Sequence, residues 1–406
     1  MIQQAAPLST PADPIDAATH LDPSDYYAHL AEERPFYHDR ALGAWVASSA
    51  AAVAEVLGHP ACRVRPESEP VPLALAGTPA GEIFRHLVRM TDGEAHCPLK
   101  HAITSTLDAL DPHRAVEVSA RWAERLARGI GPASDAAELM KFAYTLSPYI
   151  VGSLLGIADM ALADVADDVG QVVRCIFPGG TADQIERGIH AAARLDERFR
   201  AALTEASEDT LLGRLAAGMR QVGIVSPDVV IANAIGFLAQ GYDGTAGLIA
   251  NTLLALARAP EMCAGVADAP ELLAGIVADV LRREPTFQNT RRFVAEPTLI
   301  AGQQLQADDV ILVLLVAANN DPASAPASAM GSDATASTSF AFGAGLHACP
   351  GSSLAQTIAT AAVARLLANG VDPARLDPHP LYRPSPNARV PILAWRDEAP
   401  DAEAQR

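Results

Sequence analysis

Segment 342–351 constrains the fold of this chain more than any other, because it places a cysteine in a glycine-rich turn directly before a helical pattern. Gly343 and Gly345 predict a tight turn with a close approach of the backbone. Pro350 suits the first position of the following helix, and a thiolate at Cys349 would be stabilised by the positive end of that helix. Thiolate is the form of cysteine that binds metals. We therefore expect a metal–thiolate site here; the alternative is a structural cysteine in a glycine-rich turn.

Most of the chain is predicted to be helical. Half of the residues are hydrophobic, 19% are charged and 5% are aromatic, so the core must consist largely of Ala, Leu, Val and Ile, which favours packed helices. Apolar residues recur at helical spacing in segments 115–126, 137–155, 191–203, 227–258, 270–283 and 352–367. A strand is predicted at Ala44–Ala47, followed by a helix that ends near Gly58, and two short strands are expected after Pro285. The fold class is therefore mainly α with small β-sheets.

The chain is predicted to form a single catalytic domain over residues 1–396, and the acidic tail, 397–406, is expected to be disordered. Its formal net charge of -18 argues against nucleic acid as a partner, because nucleic-acid binding needs a basic surface. Residues 1–20 lack the features of a signal peptide, and the longest apolar run, 310–318, is far shorter than the roughly 20 residues that span a bilayer. We expect a cytoplasmic monomer without a membrane anchor.

The sequence of segment 342–351, FGAGLHACPG, resembles the FxxGxHxCxG signature of the cytochrome P450 superfamily and matches it at every fixed position. The resemblance implies a fold in which a helical bundle surrounds haem b, with a long central helix and a small sheet on the N-terminal side. It also implies that Cys349 is the axial ligand of the haem iron. In the same way, Phe342 is expected to shield the sulfur, His347 to contact a haem propionate, and Gly351 to let the next helix approach the porphyrin.

Two further landmarks of this family concern the haem propionates. His96 and Lys100 resemble the family's HxxxR element, with lysine in place of arginine. Positions i and i+4 share a helix face, so both side chains can reach one carboxylate, although lysine offers a point charge where arginine offers a planar fork. The alternative is an ordinary exposed helix turn. Arg292 matches the family's second propionate-binding arginine, and the neighbouring Arg291 is the alternative.

Asp279 and Arg282 stand where the family has its ExxR ion pair. Aspartate is one methylene shorter than glutamate, and the family's third, basic partner is missing, since no Lys or Arg occurs between Arg292 and Arg365. We expect the pair to be buried, because either ion alone would be costly to bury. A surface i,i+3 pair is the alternative.

The central helix departs from the family at the position that matters most for oxygen chemistry. Segment 241–244 resembles the [AG]Gx[DE]T motif, in which an acid and an adjacent alcohol relay protons. Asp243 supplies the acid, but Gly244 replaces the alcohol, and Thr245 lies about 100° further around the helix. Either water or a substrate hydroxyl replaces the missing group, or the reaction is not ordinary hydroxylation. Asp243 could instead be satisfied by a neighbour, and Thr245 could be purely structural.

The resemblance implies a monooxygenase that inserts one atom of dioxygen into a small organic substrate, in secondary-metabolite tailoring or catabolism. Two electrons would come from a ferredoxin and its ferredoxin reductase. A second interpretation keeps the haem but assigns peroxide-driven oxidation, oxidative coupling, decarboxylation or rearrangement. A third is a haem-binding or carrier-recognition protein that has lost catalysis. The substrate is not predicted, although Arg174 is a candidate partner for an acidic group.

Overall fold

The computed structural model describes residues 10–176, 179–324 and 339–397. The expected tail beyond Asp397 lies outside these residues. The described part contains fourteen α-helices: α1 Ser24–Glu33, α2 Ala50–Gly58, α3 Pro79–His86, α4 His96–Asp108, α5 Pro112–Leu126, α6 Ala136–Leu155, α7 Leu162–Ile176, α8 Ala182–Glu205, α9 Leu211–Gln221, α10 Pro227–Arg258, α11 Pro260–Asp268, α12 Leu272–Arg283, α13 Leu315–Asn320 and α14 Ser352–Ala368. The predominance of helix confirms the predicted fold class. No helix in this part of the chain combines the length and apolarity needed to cross a membrane.

Helix α10 forms the centre of the molecule, as the sequence predicted. It runs over 32 residues without a break and is buried along most of its length, against α6, α14 and α3 among others. Pro227 occupies its first turn, where a missing N–H costs nothing. Ser226 is the N-cap residue, but its side chain makes no capping hydrogen bond. Gly247 allows a close approach, because a Cβ there would lie 2.3 Å from Cγ2 of Thr286.

Two small sheets lie beside the helical bundle. Their strands are β1 Phe36–Asp39, β2 Ala44–Ala47, β3 Cys62–Arg63, β4 Asn289–Val294, β5 Thr298–Ile300, β6 Gln303–Leu305 and β7 Val310–Leu314. The larger sheet has the order β1-β2-β7-β4-β3, and β5 pairs with β6. Only β2 and β7 pair in parallel among these strands, with Trp45 opposite Ile311. Two strands were expected after Pro285, whereas the structure has four, because β5 and β6 form a tight hairpin too short to give a clear alternating pattern.

One large apolar cluster surrounds α10, and two smaller clusters pack against the five-stranded sheet. The cysteine-containing loop lies where the bundle meets the sheet. Phe342 packs against the large cluster, and Ala344 packs against the cluster that includes α2. The loop is therefore anchored on both sides by apolar contacts.

Arg389 joins the two ends of the described chain. Its side chain is buried, and its guanidinium donates hydrogen bonds to the carbonyl oxygens of Ala18, His20 and Leu21 at 3.4, 2.6 and 3.2 Å. The guanidinium also lies 3.7 Å from the ring centroid of Tyr382. A buried guanidinium needs several acceptors, and here backbone carbonyl groups supply them.

Candidate active site

The cysteine loop adopts the turn that its glycines predict. Gly343 and Gly345 have φ of 69° and 66°, a region that favours glycine. A Cβ on Gly345 would lie 2.8 Å from the carbonyl oxygen of Leu57, so this position also requires a close backbone approach. The amide of Cys349 donates to the carbonyl oxygen of Phe342 at 2.8 Å and closes the loop. These contacts fix the position of the sulfur.

The helix after the loop begins slightly later than expected. Gly351 is the N-cap of α14 and Ser352 its first residue, so Pro350 precedes the helix and the prediction that it takes the first helical position is wrong. The Gly351 amide, freed by its place at the helix start, donates a hydrogen bond to the Cys349 sulfur. A Cβ on Gly351 would be in ordinary contact with that sulfur, at 3.9 Å. The helix start therefore supplies a donor to the thiol.

The Cys349 side chain is exposed to solvent but has protein on several sides. Partial burial by this protein raises the pKa of its thiol. The Gly351 amide and the nearby Lys100 ammonium act in the opposite direction and lower this pKa. An accessible sulfur beside an ammonium group and an amide donor is the environment expected of a thiolate that binds a metal.

Two histidines meet beside this loop. The rings of His96 on α4 and His347 lie 4.3 Å apart between centroids. Nε2 of His96 and Nδ1 of His347 are both buried without a hydrogen-bond partner in the described chain. Burial, together with His347 and Lys100, lowers the pKa of His96 to about 4. Two buried nitrogens without partners indicate a missing polar group.

Asp92 orients His347 and was not predicted from the sequence. Its Oδ1 lies 3.2 Å from Nε2 of His347, and its Oδ2 accepts from the Val64 amide at 3.0 Å. Burial acts to raise the pKa of Asp92, but these hydrogen bonds hold it below its ordinary value. The only sequence signal was an acid four residues before His96.

Lys100 approaches the loop from the same face of α4 as His96. Its ammonium donates to the carbonyl oxygen of Ala348, next to the cysteine. Burial lowers its pKa, while the Cys349 sulfur acts to raise it. The two α4 residues therefore converge on the cysteine loop, as their spacing predicted; their contact with a propionate stays a prediction.

The structure distinguishes Arg292 from Arg291. Arg292 is only 6% exposed, and Arg291 is exposed. Within the described residues the Arg292 guanidinium has no carboxylate partner; it donates to the carbonyl oxygen of Arg291 at 2.9 Å, with a longer contact to Thr290. Burial lowers its pKa. A buried guanidinium with so few acceptors fits an additional anionic group, which favours Arg292 over Arg291.

These residues fit a haem. Three features from different elements come together here: an accessible thiol on the cysteine loop, two buried imidazole nitrogens on that loop and α4, and a buried guanidinium on β4. Among the described residues the nitrogens have no hydrogen-bond partner and the guanidinium has no carboxylate partner. Haem presents an iron that a thiolate can bind and two carboxylates that such donors can hold. Cys349 would then hold the iron, and His96, Lys100, Arg292 and His347 would hold the propionates.

The acid of the central helix is paired with an arginine that the sequence did not suggest. Asp243 is buried, and its Oδ1 accepts from Nη1 of Arg383 at 3.2 Å. Arg383 also donates to the hydroxyl group of Tyr144. Burial raises the pKa of Asp243, although Arg383 and Arg174 act to lower it. Arg383 lies 140 residues further along the chain, so no local pattern could have connected the two.

Gly244 and Thr245 face different neighbours. A Cβ on Gly244 would lie 3.2 Å from Cε2 of Phe287, and the Gly244 carbonyl oxygen accepts from Oγ1 of Thr286 at 3.0 Å. Thr245 is buried. Its Oγ1 lies near Gly241 on the side of α10 that faces α6, 3.8 Å from the position that a Cβ on Gly241 would take. Thr245 therefore does not occupy the place of the missing alcohol, and its catalytic role stays a prediction.

The ion pair of Asp279 and Arg282 forms at 3.0 Å, but the expectation that it is buried is wrong. The two side chains are 35% and 37% exposed. Arg283, one residue further on α12, also pairs with Asp279 at 2.5 Å. The helix itself thus provides a second cation, and exposure to water removes the desolvation cost that a buried pair would carry.

The chain is similar in sequence to known cytochrome P450s. No protein-family model matches the chain. Cytochrome P450 144 of Mycobacterium tuberculosis is 26% identical over 302 residues, which are 70% of this chain and 63% of that protein. Vitamin D(3) 25-hydroxylase of Pseudonocardia autotrophica is 27% identical over 242 residues, 59% of each chain. The alignments thus span about three fifths of the length of these relatives.

The likeness to solved structures covers almost the whole chain. The structure of CalO2 superposes with a TM-score of 0.79 and 26% identity, over 95% of this chain and 99% of that one. The likeness therefore concerns the fold as a whole. On its fold, its cysteine loop and these similarities, the chain belongs to the cytochrome P450 superfamily.

Proposed function

We propose that this protein is a haem b-dependent monooxygenase that inserts one atom of dioxygen into a small organic substrate. The observation that carries the proposal is the accessible Cys349 thiol, which lies beside the Lys100 ammonium and close to two imidazole nitrogens without a partner among the described residues. A haem iron held by a cysteine thiolate supplies the activation of dioxygen, because the thiolate donates electron density that favours cleavage of the oxygen–oxygen bond.

The loop sets the electron-donating strength of the sulfur. The Gly351 amide donates one hydrogen bond to it, and Pro350 has no N–H to offer a second. Fewer hydrogen bonds leave more negative charge on a thiolate sulfur. The surrounding protein lowers the local dielectric constant, which strengthens the electrostatic interactions near the sulfur.

Asp243 is the residue best placed to hold and transfer a proton. Its carboxyl group lines a cavity, is buried, and has a raised pKa, so it keeps a proton at a higher pH than an exposed aspartate does. The Arg383 guanidinium orients Oδ1 at 3.2 Å. With glycine at position 244, a water molecule or a substrate hydroxyl would have to continue the relay.

Several further features belong to the same proposal. Residues 1–396 would form a single catalytic domain, and ferredoxin and ferredoxin reductase would supply the electrons. A role in catabolism or secondary metabolism, a cytoplasmic location and a monomeric state complete it. The curated relatives support the reaction class, because one of them is named as a hydroxylase.

The absorption spectrum of the reduced protein with carbon monoxide tests the ligand. We expect a strongly red-shifted Soret band for the native protein and its loss in Cys349→Ser. Cys263→Ser is the matched control, because Cys263 is a half-buried free cysteine on α11, in a different part of the fold. A colourless native protein after expression with ample haem, or an unchanged spectrum in Cys349→Ser, would overturn the proposal.

A second candidate, peroxide-driven or other atypical oxidation, is favoured by the packing around Gly244. A Cβ at this position would lie 3.2 Å from the Phe287 ring, a tight contact that disfavours a side chain, and hence an alcohol, at position 244. Turnover with a reductase system and turnover with hydrogen peroxide separate the two candidates. Higher turnover with peroxide would favour the second.

A further inference from the structure

A cavity of about 250 Å³ lies between the end of α7, the start of α8, the middle of α10 and segment 383–390. Its lining includes Arg174, Gln184, Asp243, Arg383 and Ser385. The cavity thus contains the acid of the central helix together with polar groups that the proposed reaction leaves unexplained.

The cationic groups of this cavity outnumber its anionic ones. Two guanidiniums and one carboxylate line it. Arg383 pairs with Asp243 and contacts Tyr144, and its side chain remains 42% exposed. Arg174 is hydrogen-bonded to Tyr242 but has no carboxylate partner among the described residues.

This local charge is opposite in sign to that of the whole chain. The protein carries a formal charge of -18, whereas the groups lining this cavity sum to about +1 when all three are ionised. A local excess of one cation in a recessed site favours the binding of one negative charge, although both arginines remain partly exposed. That negative charge can belong to a bound ligand.

We infer that this cavity binds the carboxylate group of the substrate through the guanidiniums of Arg174 and Arg383, so that the substrate is a small organic acid. The inference rests on the proposed function, because it assigns the substrate class of that site. A carboxylate balances the single excess charge, whereas a phosphate monoester, at about -1.5 to -2, would exceed it. Planar guanidiniums also match the geometry of a carboxylate.

Asp243 would compete with the substrate for Arg383. A carboxylate that enters the cavity meets an arginine already paired at 3.2 Å and a second, Arg174, without such a pair. Removing the charge of Asp243 therefore frees one guanidinium for the ligand. Neutralising Asp243 should therefore strengthen the binding of a carboxylate, whereas removing either arginine should weaken it.

Isothermal titration calorimetry on the haem-loaded protein tests the inference with 4-phenylbutyrate and octanoate, each compared with its neutral primary amide and with phenyl phosphate. We expect each acid to bind the native protein at least about tenfold more tightly than its amide. Arg174→Gln and Arg383→Gln should each weaken acid binding about tenfold, since hydrogen bonds to charged groups contribute that much. Amide binding should not change.

Arg220→Gln is the matched control, because Arg220 is an exposed arginine of α9 outside the cavity lining, and it should bind the acids as the native protein does. Asp243→Asn should bind the acids more tightly. Asp243→Asn keeps both arginines, so its affinity for the acids tests the inference even if Arg383→Gln does not fold.

Equal affinity of the acids and their amides for the native protein overturns the inference, as does an Arg174→Gln/Arg383→Gln variant that keeps the selectivity. Tighter binding of phenyl phosphate than of both acids overturns the choice of a carboxylate. The difference in affinity between each acid and its amide reports on the guanidiniums, whereas the carbon monoxide spectrum reports on the sulfur ligand. A protein that selects acids but lacks the red-shifted carbon monoxide band refutes the proposed function alone.

Discussion

The ion pair of Asp243 and Arg383 provides the sharpest test of the electrostatics of this site. At a separation of about 4 Å, two unit charges attract by about 4 kcal/mol at an effective dielectric constant of about 20, and by about 1 kcal/mol in water. Asp243 is 8% exposed and Arg383 is 42% exposed, so the pair lies between these limits. We expect a coupling energy of about 2 kcal/mol from a double-mutant cycle of Asp243→Asn and Arg383→Gln.

The coupling energy between Asp243 and Arg383 should depend on pH. Burial already raises the pKa of Asp243, and removal of Arg383 would raise it further. Above the ordinary pKa of aspartate the folded state then holds a proton that the unfolded state has released, so stability falls as pH rises through this window. Arg383→Gln should therefore cost more stability at pH 8 than at pH 5, where protonation relieves the unpaired carboxylate.

Urea unfolding of the haem-loaded protein at both pH values measures the cycle. The exposed pair of Arg125 and Asp159, at 2.7 Å, is the control and should show a coupling of no more than about 1 kcal/mol at either pH. A coupling below about 0.3 kcal/mol for Asp243 and Arg383 at pH 8, or an equal cost of Arg383→Gln at both pH values, would refute the reasoning.

Three further predictions concern the haem surroundings. Gly345→Ala should lower the free energy of unfolding by at least about 1–2 kcal/mol and reduce the haem content. The reasons are that φ at this position is 66° and that the new Cβ would lie 2.8 Å from the Leu57 carbonyl oxygen. Thermal melts and the haem-to-protein ratio measure these two effects. Arg292→Gln should release haem to apomyoglobin faster than the native protein, and Arg291→Gln should not; equal rates would reject the assignment. Asp279→Ala should cost no more than about 1 kcal/mol in urea unfolding, since its ion pairs are partly exposed; a loss above about 3 kcal/mol would indicate a buried network.

Local patterns in the sequence predicted the long central helix and the turn that carries the cysteine. The bounds of α10 followed from a long apolar repeat that begins with Pro227, and the turn at the cysteine followed from Gly343 and Gly345. These features depend on neighbours within a few residues, so the sequence carries them directly. The choice between Arg291 and Arg292 did not follow, because it depends on which face of β4 the rest of the fold covers.

Contacts between distant segments were beyond the sequence. Arg383 reaches Asp243 across 140 residues, and Asp92 meets His347 across 255. The exposure of Asp279 likewise depends on what packs beside α12, not on its i,i+3 spacing. Such features are set by tertiary packing, which overrides local preferences and leaves no periodic signal.

The hydrogen bonds of Arg389 to residues 18–21 have a consequence for biosynthesis. About 370 residues separate the two sides of this contact, and a ribosome adds that many in roughly 20 to 70 s. Until then the carbonyl oxygens of Ala18, His20 and Leu21 can bond only to water or to transient partners. Residues 18–21 can therefore make this contact only after Arg389 has been synthesised, and a nascent chain released before Arg389 would leave that stretch open to cellular proteases.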